Sequence, residues 1–334
     1  MTVANVPMKV RNRCNSTTPA HELTDFQTPD EKVFVVYHMG VPEVDFGVWR
    51  LTIGGLVEKP AGLSLADLEA LPKVELTAFH ECAGNPLRPT VPVYRVGNVV
   101  WRGVRLKTVL DMVGIRPEAK YVWARGADSG IYPATGRYSD SYVKDLPLNK
   151  AISNEVLLAT EMNGVPISED HGAPVRLIVP GYYGTNSVKW LTEIRSEQDR
   201  ADGYFTTTLY NDRHVDGGIE HVAPVWAVAP NSVIVRPAIN QPLAMERTLI
   251  WGWAWGANEI VTVDISTDGG RTWSAAALDK RQDMSWQRFS FNWAPAIPGE
   301  YEIVSRAADS AGASQPISGA RNEVVRVSAR IGKC

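Results

Sequence analysis

The segment HECAGNP, from His80 to Pro86, is the part of the sequence whose residue types are best suited to chemistry. Its cysteine, Cys82, comes at the end of a predicted strand and is followed by the small residues Ala83 and Gly84, which leave open space in front of the thiol. A cysteine acts as a nucleophile or a metal ligand through its thiolate, and thiolate formation depends on positive surroundings that a sequence does not reveal. A buried, unreactive thiol is the alternative interpretation of a single cysteine.

Other common metal and cofactor motifs are missing from the sequence. The three cysteines, Cys14, Cys82 and Cys334, are far apart and odd in number, so they predict neither a disulfide framework nor a Cys-x-x-Cys zinc site. The six histidines are dispersed and form no HExxH or CxxCH, which argues against a classical zinc hydrolase and a c-type haem. No GxGxxG opens a helix, so a dinucleotide-binding fold has no support.

The elements that position the cysteine can be predicted from apolar spacing. The alternating residues after Trp49 predict a strand, and SLADLEALP, with Ser64 or Leu63 near its start, predicts a helix. VELTAFHECAG is typical of a buried strand that runs into a Gly-Asn loop, and VRLKTVLDMVG predicts a helix closed by Gly114. YVWARG, VLLATEM and PVRLIVP predict further strands. Because strands and helices do not alternate regularly, we expect an α+β fold.

The composition of the chain changes near residue 225, after which the sequence is almost entirely strand-like. The Asp-Gly-Gly of TDGGRTW predicts a hairpin, and turns about every 8–12 residues indicate an immunoglobulin-like β-sandwich. We therefore expect a cofactor-binding domain at 1–224 and a sandwich domain at 225–334. Six tryptophans of the second domain are expected in its core or in an interface: Trp251, Trp253, Trp255, Trp273, Trp286 and Trp293.

Composition limits the function classes. The 334 residues are 44% hydrophobic and 21% charged, as in a globular protein with a substantial core. The net charge of -3 argues against nucleic-acid and anionic-membrane binding. No apolar run approaches the roughly 20 residues that span a bilayer. The first residues lack the apolar segment of a secretory signal, so we expect a cytoplasmic location, with a periplasmic one as the alternative for a mature form.

Several segments in the same order along the chain resemble the sulfite oxidase family of molybdopterin oxidoreductases. They are Cys82-Ala-Gly-Asn, Trp101-Arg-Gly-Val-Arg-Leu, Gly126-Ala-Asp-Ser, Glu161-Met-Asn-Gly, Asp170-His-Gly-Ala-Pro-Val-Arg, Val179-Pro-Gly-Tyr-Tyr-Gly and Ser187-Val-Lys-Trp-Leu. TDGGRTW in the C-terminal domain also fits the family. The resemblance favours Cys82 as a metal ligand over the buried free thiol.

The resemblance implies a molybdenum held by the two dithiolene sulfurs of molybdopterin, by oxo ligands and by the Cys82 thiolate. Arg176 and Lys189 would neutralise the cofactor phosphate, while His171 and Asp128 would hydrogen-bond the pterin. The full set of cofactor contacts implied in this way is Phe34, Val35, Val36, Tyr37, His38, Cys82, Asp128, His171, Arg176, Ser187, Val188 and Lys189.

The family's active-site tyrosine corresponds to Tyr210, which follows Lys189 by 21 positions. Its phenol would bond an oxo ligand or a substrate oxygen and move a proton as electrons leave. No fused haem or flavin domain is evident, so the electrons would pass to a separate acceptor such as a cytochrome. The resemblance also implies a homodimer formed through the C-terminal domain.

The sequence departs from the family at the residues that bind an anionic substrate. Val36 and Leu87 stand where the family has arginines, Tyr37 stands at its asparagine, and its W-N-x-R-G segment is missing. Arg88 is a candidate replacement for substrate binding, and Arg321 lies in a different context. Sulfite oxidation is therefore expected by resemblance. The alternatives are oxygen-atom transfer on a less anionic sulfoxide or other sulfur or nitrogen oxide, and a catalytically silent cofactor-binding homologue.

Overall fold

The computed structural model describes residues 17–85 and 93–332. Strands dominate these ranges, and the helices are short, which confirms the α+β prediction. The strands are β1 (Thr18–Pro19), β2 (Arg50–Gly55), β3 (Ala61–Ser64), β4 (Lys73–Glu81), β5 (Val93–Tyr94), β6 (Val96–Arg105), β7 (Tyr121–Gly126), β8 (Gly130–Tyr132), β9 (Arg137–Ser139), β10 (Val143–Pro147), β11 (Leu157–Met162), β12 (Val165–Pro166), β13 (Arg176–Ile178), β14 (Leu191–Glu197), β15 (Asn211–Asp216), β16 (Ile219–Pro224), β17 (Asn231–Arg236), β18 (Gln241–Leu243), β19 (Thr248–Trp255), β20 (Ile260–Ser266), β21 (Ser274–Ala275), β22 (Ala277–Leu278), β23 (Gln287–Trp293), β24 (Gly299–Asp309) and β25 (Arg326–Ile331).

The helices are α1 (Leu65–Glu69), α2 (Leu106–Val113) and α3 (Leu148–Ala151), with short 3-10 turns at Ala20–Glu22, Asp30–Lys32, Glu169–His171 and Gly184–Asn186 and a π-helix at Phe205–Leu209. Helix α1 begins after a capping box, in which Ser64 accepts from the Asp67 N–H and the Asp67 carboxylate accepts from the Ser64 N–H. Helix α2 ends at Gly114, whose φ of 68° suits glycine. None of the helices in the described ranges is long and apolar enough to cross a membrane.

The described residues form two compact units. The first consists of Val35–Leu76 and Val100–Trp226. One of its sheets has the strand order β10-β7-β14-β2-β3, with β14 parallel to β2 and the other pairs antiparallel. In another, β11 pairs with β6, β12 and β13. The Asn163-Gly164 pair of the EMNG motif makes the tight turn between β11 and β12, with both residues at positive φ.

The second unit consists of the described parts of Ser16–Phe34, Thr77–Val99 and Ala227–Cys334. Its C-terminal strands form two sheets, with the orders β17-β19-β23-β22 and β18-β25-β24-β20-β21, and their buried apolar side chains form one core. This architecture confirms the predicted immunoglobulin-like sandwich. Because each unit is built from separate stretches of chain, the linear division at residues 224 and 225 stays a prediction.

The hairpin loop and the tryptophans of the sandwich follow the sequence pattern in part. Asp268 closes the TDGGRTW turn by accepting from the N–H groups of Arg271 and Thr272, and its two glycines have positive φ. Trp253, Trp255, Trp286 and Trp293 are buried, whereas Trp251 and Trp273 are partly exposed.

Candidate cofactor site

The Lys189 side chain forms hydrogen bonds with two other predicted cofactor-binding segments of the first unit, the DHG motif and the segment that contains Val36. Its Nζ donates to the carbonyls of Asp170, at 2.6 Å, and Val36, at 3.1 Å. Gly172 makes this approach possible, because a Cβ at that position would lie 2.8 Å from the Cβ of Lys189 and its φ is +109°. The glycine of the DHG motif is therefore required for the VKW motif to lie against it.

Arg176 is a buried cation next to the same motifs. It is 4% exposed, and its guanidinium donates to the carbonyls of His171, at 3.2 Å, and Ser187, at 3.3 Å. It also lies over the Trp101 ring, 5.5 Å from the centroid. Burial lowers the pKa of Arg176 to about 9, which still leaves it positive at neutral pH.

His171 is a buried imidazole near enough to both cations for their charges to act on its pKa. It is 5% exposed, and within the described ranges its Nδ1 has no hydrogen-bond partner. Burial, and then the charges of Lys189 and Arg176, lower the pKa of His171 to about 3, so its ring is neutral. A buried neutral imidazole nitrogen suits a hydrogen bond to a polar heterocycle, and the two cations suit an anionic group such as a phosphate.

Asp128 is the acidic member of the predicted set and is also buried. Burial raises the pKa of Asp128 to about 7, against the opposing effects of its own N–H and of Lys189. Gly126 allows the close packing of this carboxyl, because a Cβ there would lie 2.6 Å from its Oδ1. A carboxyl that is neutral in part can both donate to and accept from a heterocycle.

Ser187 and Val188 are held by main-chain geometry. The Ser187 hydroxyl accepts from the Val179 N–H at 3.1 Å, and the Val188 carbonyl accepts from the Leu177 N–H at 2.9 Å. Trp190 follows them with a φ of 47°, which costs about 1–3 kcal/mol in a bulky residue. Strain of this kind is concentrated at functional sites, and here it follows directly after Lys189.

His38 lies in an aromatic cage and bonds Tyr210. Its Nε2 is 2.6 Å from the Tyr210 hydroxyl. The rings around it are Tyr142, Phe205, Tyr132 and Tyr210, with centroids 4.9 to 5.8 Å away. Tyr210 directly follows the π-helix, a form found most often at functional sites.

The electrostatics of this cage keep His38 neutral. Burial, then Lys189 and then Lys144, lower the pKa of His38 to about 4. A neutral ring can accept the Tyr210 phenol proton through Nε2, with the Nδ1 carrying the hydrogen. Val35 and Tyr37 lie in the same irregular segment and are partly buried.

Lys144 belongs to this region, although no sequence pattern predicted it. It is 1% exposed on β10, donates from Nζ to the Phe205 carbonyl at 3.0 Å and lies 5.4 Å from the Tyr210 ring centroid. Burial lowers its pKa to about 8, against the opposing charge of Asp145. Its neighbours in the sequence, Val143 and Asp145, gave no signal that this lysine would be buried.

Cys82 and Phe34 belong to the second unit. Cys82 follows β4, and its N–H donates to the Arg95 carbonyl at 2.9 Å. Its carbonyl accepts from the Asn85 N–H, and its Sγ accepts from the Gly84 N–H at 3.4 Å. Burial raises the pKa of the thiol, while Gly84 and Arg95 act against it. A partly buried sulfur in a turn that presents an N–H to it fits a thiolate ligand, whose proton a bound metal displaces.

Phe34 and Arg321 contact the segment around Cys82 within the second unit. Phe34 is buried and stacks on His80, with ring centroids 5.4 Å apart. Arg321 donates to the Ala83 carbonyl, so the GARN segment reaches the cysteine loop. Leu87 and Arg88 lie outside the described residues, and the substrate role expected of Arg88 stays a prediction.

The buried Glu81 directly precedes the cysteine and was also missed from the sequence. Its carboxylate accepts from Asn85, Asn231 and Trp255. Burial raises the pKa of Glu81 to about 7, and these three donors and the charge of Arg321 act against it. The signal was an acidic residue inside an otherwise buried strand.

Comparison with known proteins identifies the family. Residues 38–205 match the family described as oxidoreductase molybdopterin binding domain, and residues 223–329 match the Mo-co oxidoreductase dimerisation domain. Sulfite oxidase of Gallus gallus is 33% identical over 91% of this chain and 71% of its own length. The chain belongs to the sulfite oxidase family of molybdopterin oxidoreductases. This confirms the resemblance stated from the motifs.

Two further relatives agree. Mitochondrial sulfite oxidase of Drosophila melanogaster is 32% identical over 87% of this chain, which spans 55% of that protein. The crystal structure of the sulfane dehydrogenase SoxCD from Paracoccus pantotrophus superposes with a TM-score of 0.80 at 27% identity, covering 97% of this chain and 91% of that chain. The chain thus spans from about half to seven-tenths of the length of these two curated sulfite oxidases.

Proposed function

We propose that this chain holds a molybdenum–molybdopterin cofactor, with Cys82 as the protein thiolate ligand, and oxidises a sulfur compound of the sulfite type. The observation that carries the proposal is the set formed by His171, Arg176 and Lys189 in the first unit. A buried imidazole nitrogen that bonds no described residue, together with two cations bonded to main-chain carbonyls, is a donor set that suits a phosphorylated heterocycle.

Different residues of this chain bind different parts of the cofactor. Arg176 and Lys189 neutralise the cofactor phosphate, while His171 and Asp128 hydrogen-bond the pterin. The segment from Phe34 to His38 and the Ser187-Val188 pair complete the proposed contacts. When bound, the cofactor supplies the oxygen atom and accepts two electrons, and the protein orients, shields and tunes it.

The proposed reaction releases protons that the chain must handle. Sulfite and water give sulfate, two electrons and two protons. Tyr210 holds a proton on its phenol oxygen and hydrogen-bonds Nε2 of His38, whose low pKa of about 4 keeps the ring neutral and able to accept this bond. The electrons pass to a separate acceptor such as a cytochrome, and the dimerisation domain supports a homodimer. Cytoplasmic location stays a prediction that cell fractionation would test.

A second candidate is oxygen-atom transfer on a less anionic substrate, such as a sulfoxide. Val36 favours it, because at the family's arginine position this residue offers only its main-chain carbonyl, which accepts from Lys189. The cations that act on His38 in the first unit are lysines, Lys189 and Lys144, rather than arginine forks.

Metal and pterin analysis of the purified chain, followed by turnover assays, tests the proposal. We expect stoichiometric molybdenum, and acceptor reduction with sulfite or another reduced sulfur compound. For the second candidate, we expect a sulfoxide to oxidise a reduced electron donor. Bound cofactor without turnover on any donor and acceptor pair would favour the silent homologue. A chain that holds no molybdenum after expression with cofactor supply would contradict the proposal.

A further inference from the structure

The Glu81 carboxylate is enclosed by hydrogen-bond donors in the second unit. It is 0% exposed. Its Oε1 accepts from the side-chain amides of Asn231, at 2.8 Å, and Asn85, at 3.0 Å, and its Oε2 accepts from the Trp255 indole at 2.9 Å. Both carboxylate oxygens are therefore used as acceptors.

The direction of these hydrogen bonds is fixed by further partners. The Oδ1 of Asn231 accepts from the Ser232 N–H and from Gln315 Nε2, so its amide nitrogen must face Glu81. The Oδ1 of Asn85 accepts from the Arg95 N–H, which orients that amide in the same way. Only a group that accepts through both oxygens fits this enclosure, and a side-chain amide does not.

The donors come from the C-terminal sandwich. Asn231 on β17 and Trp255 on β19 are directly opposite each other in the strand register. Gln315, which orients Asn231, in turn accepts from the Ser232 hydroxyl at 2.7 Å. The residue next to Cys82 is thus anchored to two paired strands of the sandwich through a buried polar network.

We infer that Glu81 is a positioning residue, through which the C-terminal sandwich fixes the Cys82 loop and hence the direction of the thiolate. This inference rests on the ligand role proposed for Cys82. Glu81 is at the start of the loop and is bonded to the sandwich. Asn85, at the end of the same turn, donates a hydrogen bond to Glu81. The sandwich then has a role at the metal ligand in addition to dimerisation.

Glu81→Gln in the holoenzyme is the test, because it keeps the shape and places an N–H where two oxygens must accept. The loop then shifts, and we expect kcat to fall by about 10²-fold, the effect of a displacement near 1 Å. KM should stay within about twofold, because substrate binding is not altered. The Mo(V) electron paramagnetic resonance signal should shift in g-values at unchanged molybdenum content.

A matched control separates positioning from stability. Asp309→Asn changes another buried carboxylate of the sandwich, which accepts from the Asn258 side chain and from the Ala311 and Ala313 N–H groups. It should lower the thermal midpoint and leave the Mo(V) signal unchanged. Trp255→Phe, which removes one donor and keeps an aromatic ring, should shift the signal in the same direction as Glu81→Gln, and it serves if Glu81→Gln does not fold.

The inference would be overturned if folded Glu81→Gln or Trp255→Phe protein kept the wild-type Mo(V) signal and kcat. Its thermal midpoint would then be lowered only as in the control. X-ray absorption of the wild-type holoenzyme shows separately whether cysteine sulfur is bound to the molybdenum, so it distinguishes this result from failure of the proposed function. If cysteine sulfur is absent from the wild-type metal, the ligand proposal itself fails.

Discussion

The imidazole Nε2 of His38 lies 2.6 Å from the phenol oxygen of Tyr210, although 172 positions separate them in the sequence. The contact joins a residue expected to bind the cofactor with one expected to move protons. Because nearby lysines and burial keep His38 neutral, the pair has one mobile proton and one acceptor. The expected cofactor contact and the residue expected to move protons are therefore joined by one hydrogen bond in the first unit.

The low pKa of His38 predicts a pH-dependent stability difference. The unfolded chain binds a proton at His38 between pH values of about 6.5 and 4, whereas the folded chain does not, so the stability contribution is lost as the pH falls through this window. His38→Gln cannot take up this proton. The wild-type minus variant difference in the free energy of unfolding should fall from pH 7 to pH 4 in urea titrations. A difference that is constant over this range would contradict the neutral assignment.

Tyr210→Phe should lower kcat by about 10²-fold or more, because the substitution removes the phenol group and its proton, which hydrogen-bonds His38. Molybdenum content and the thermal midpoint should stay close to wild type. Tyr204→Phe, in the same aromatic cluster, is the matched control and should keep near-normal turnover. Equal kcat values for the two variants would remove Tyr210 from the mechanism.

Arg176→Ala and Lys189→Ala should each lower cofactor occupancy. A hydrogen bond to a charged group contributes about 1.5–3 kcal/mol, and about 1.4 kcal/mol corresponds to a tenfold change, so affinity should fall at least tenfold. Molybdenum and pterin analysis of purified protein measures this. Arg195→Ala, which removes a partly exposed cation paired with Glu197 in the same unit, is the control. Full occupancy in both variants would show that the phosphate lies elsewhere.

The loss of arginines at Val36 and Leu87 predicts weak binding of a doubly charged anion. Two lost contacts of about 1.5–3 kcal/mol each would weaken sulfite binding by two to four orders of magnitude, reduced by any replacement cation. Steady-state kinetics should give a high sulfite KM with a shallow dependence on ionic strength, and a better rate with a neutral or singly charged substrate. A micromolar KM that rises steeply with salt would show that other cations, such as Arg88, rebuild the site.

The sequence predicted the elements that carry local signals. Short-range hydrogen bonds specify a cap or a turn in three places. These are Ser64 before LADLE, Gly114 after the helix of apolar spacing that precedes it, and Asp-Gly-Gly in TDGGRTW. The motif residues around His171, Arg176 and Lys189 were also predicted, because their types and order are characteristic of the family.

Residues whose roles depend on distant partners were not predicted. The surroundings of Glu81 are supplied by Asn231 and Trp255, which lie 150 and 174 positions away. Lys144 is buried because β10 places it under the π-helix carbonyl of Phe205, a contact without a local signature. Long-range strand pairing decides both cases, and single-sequence patterns do not encode it.

Molybdenum K-edge X-ray absorption of wild-type protein and of Cys82→Ser tests the central claim most directly. The wild-type spectrum should show three sulfur ligands, two from the dithiolene and one from Cys82, at distances typical of metal–thiolate bonds. Cys82→Ser should keep the cofactor, show one sulfur fewer and lose turnover, because a hydroxyl is a poor substitute for a soft thiolate. An unchanged sulfur count with normal turnover in the serine variant would contradict the ligand role of Cys82.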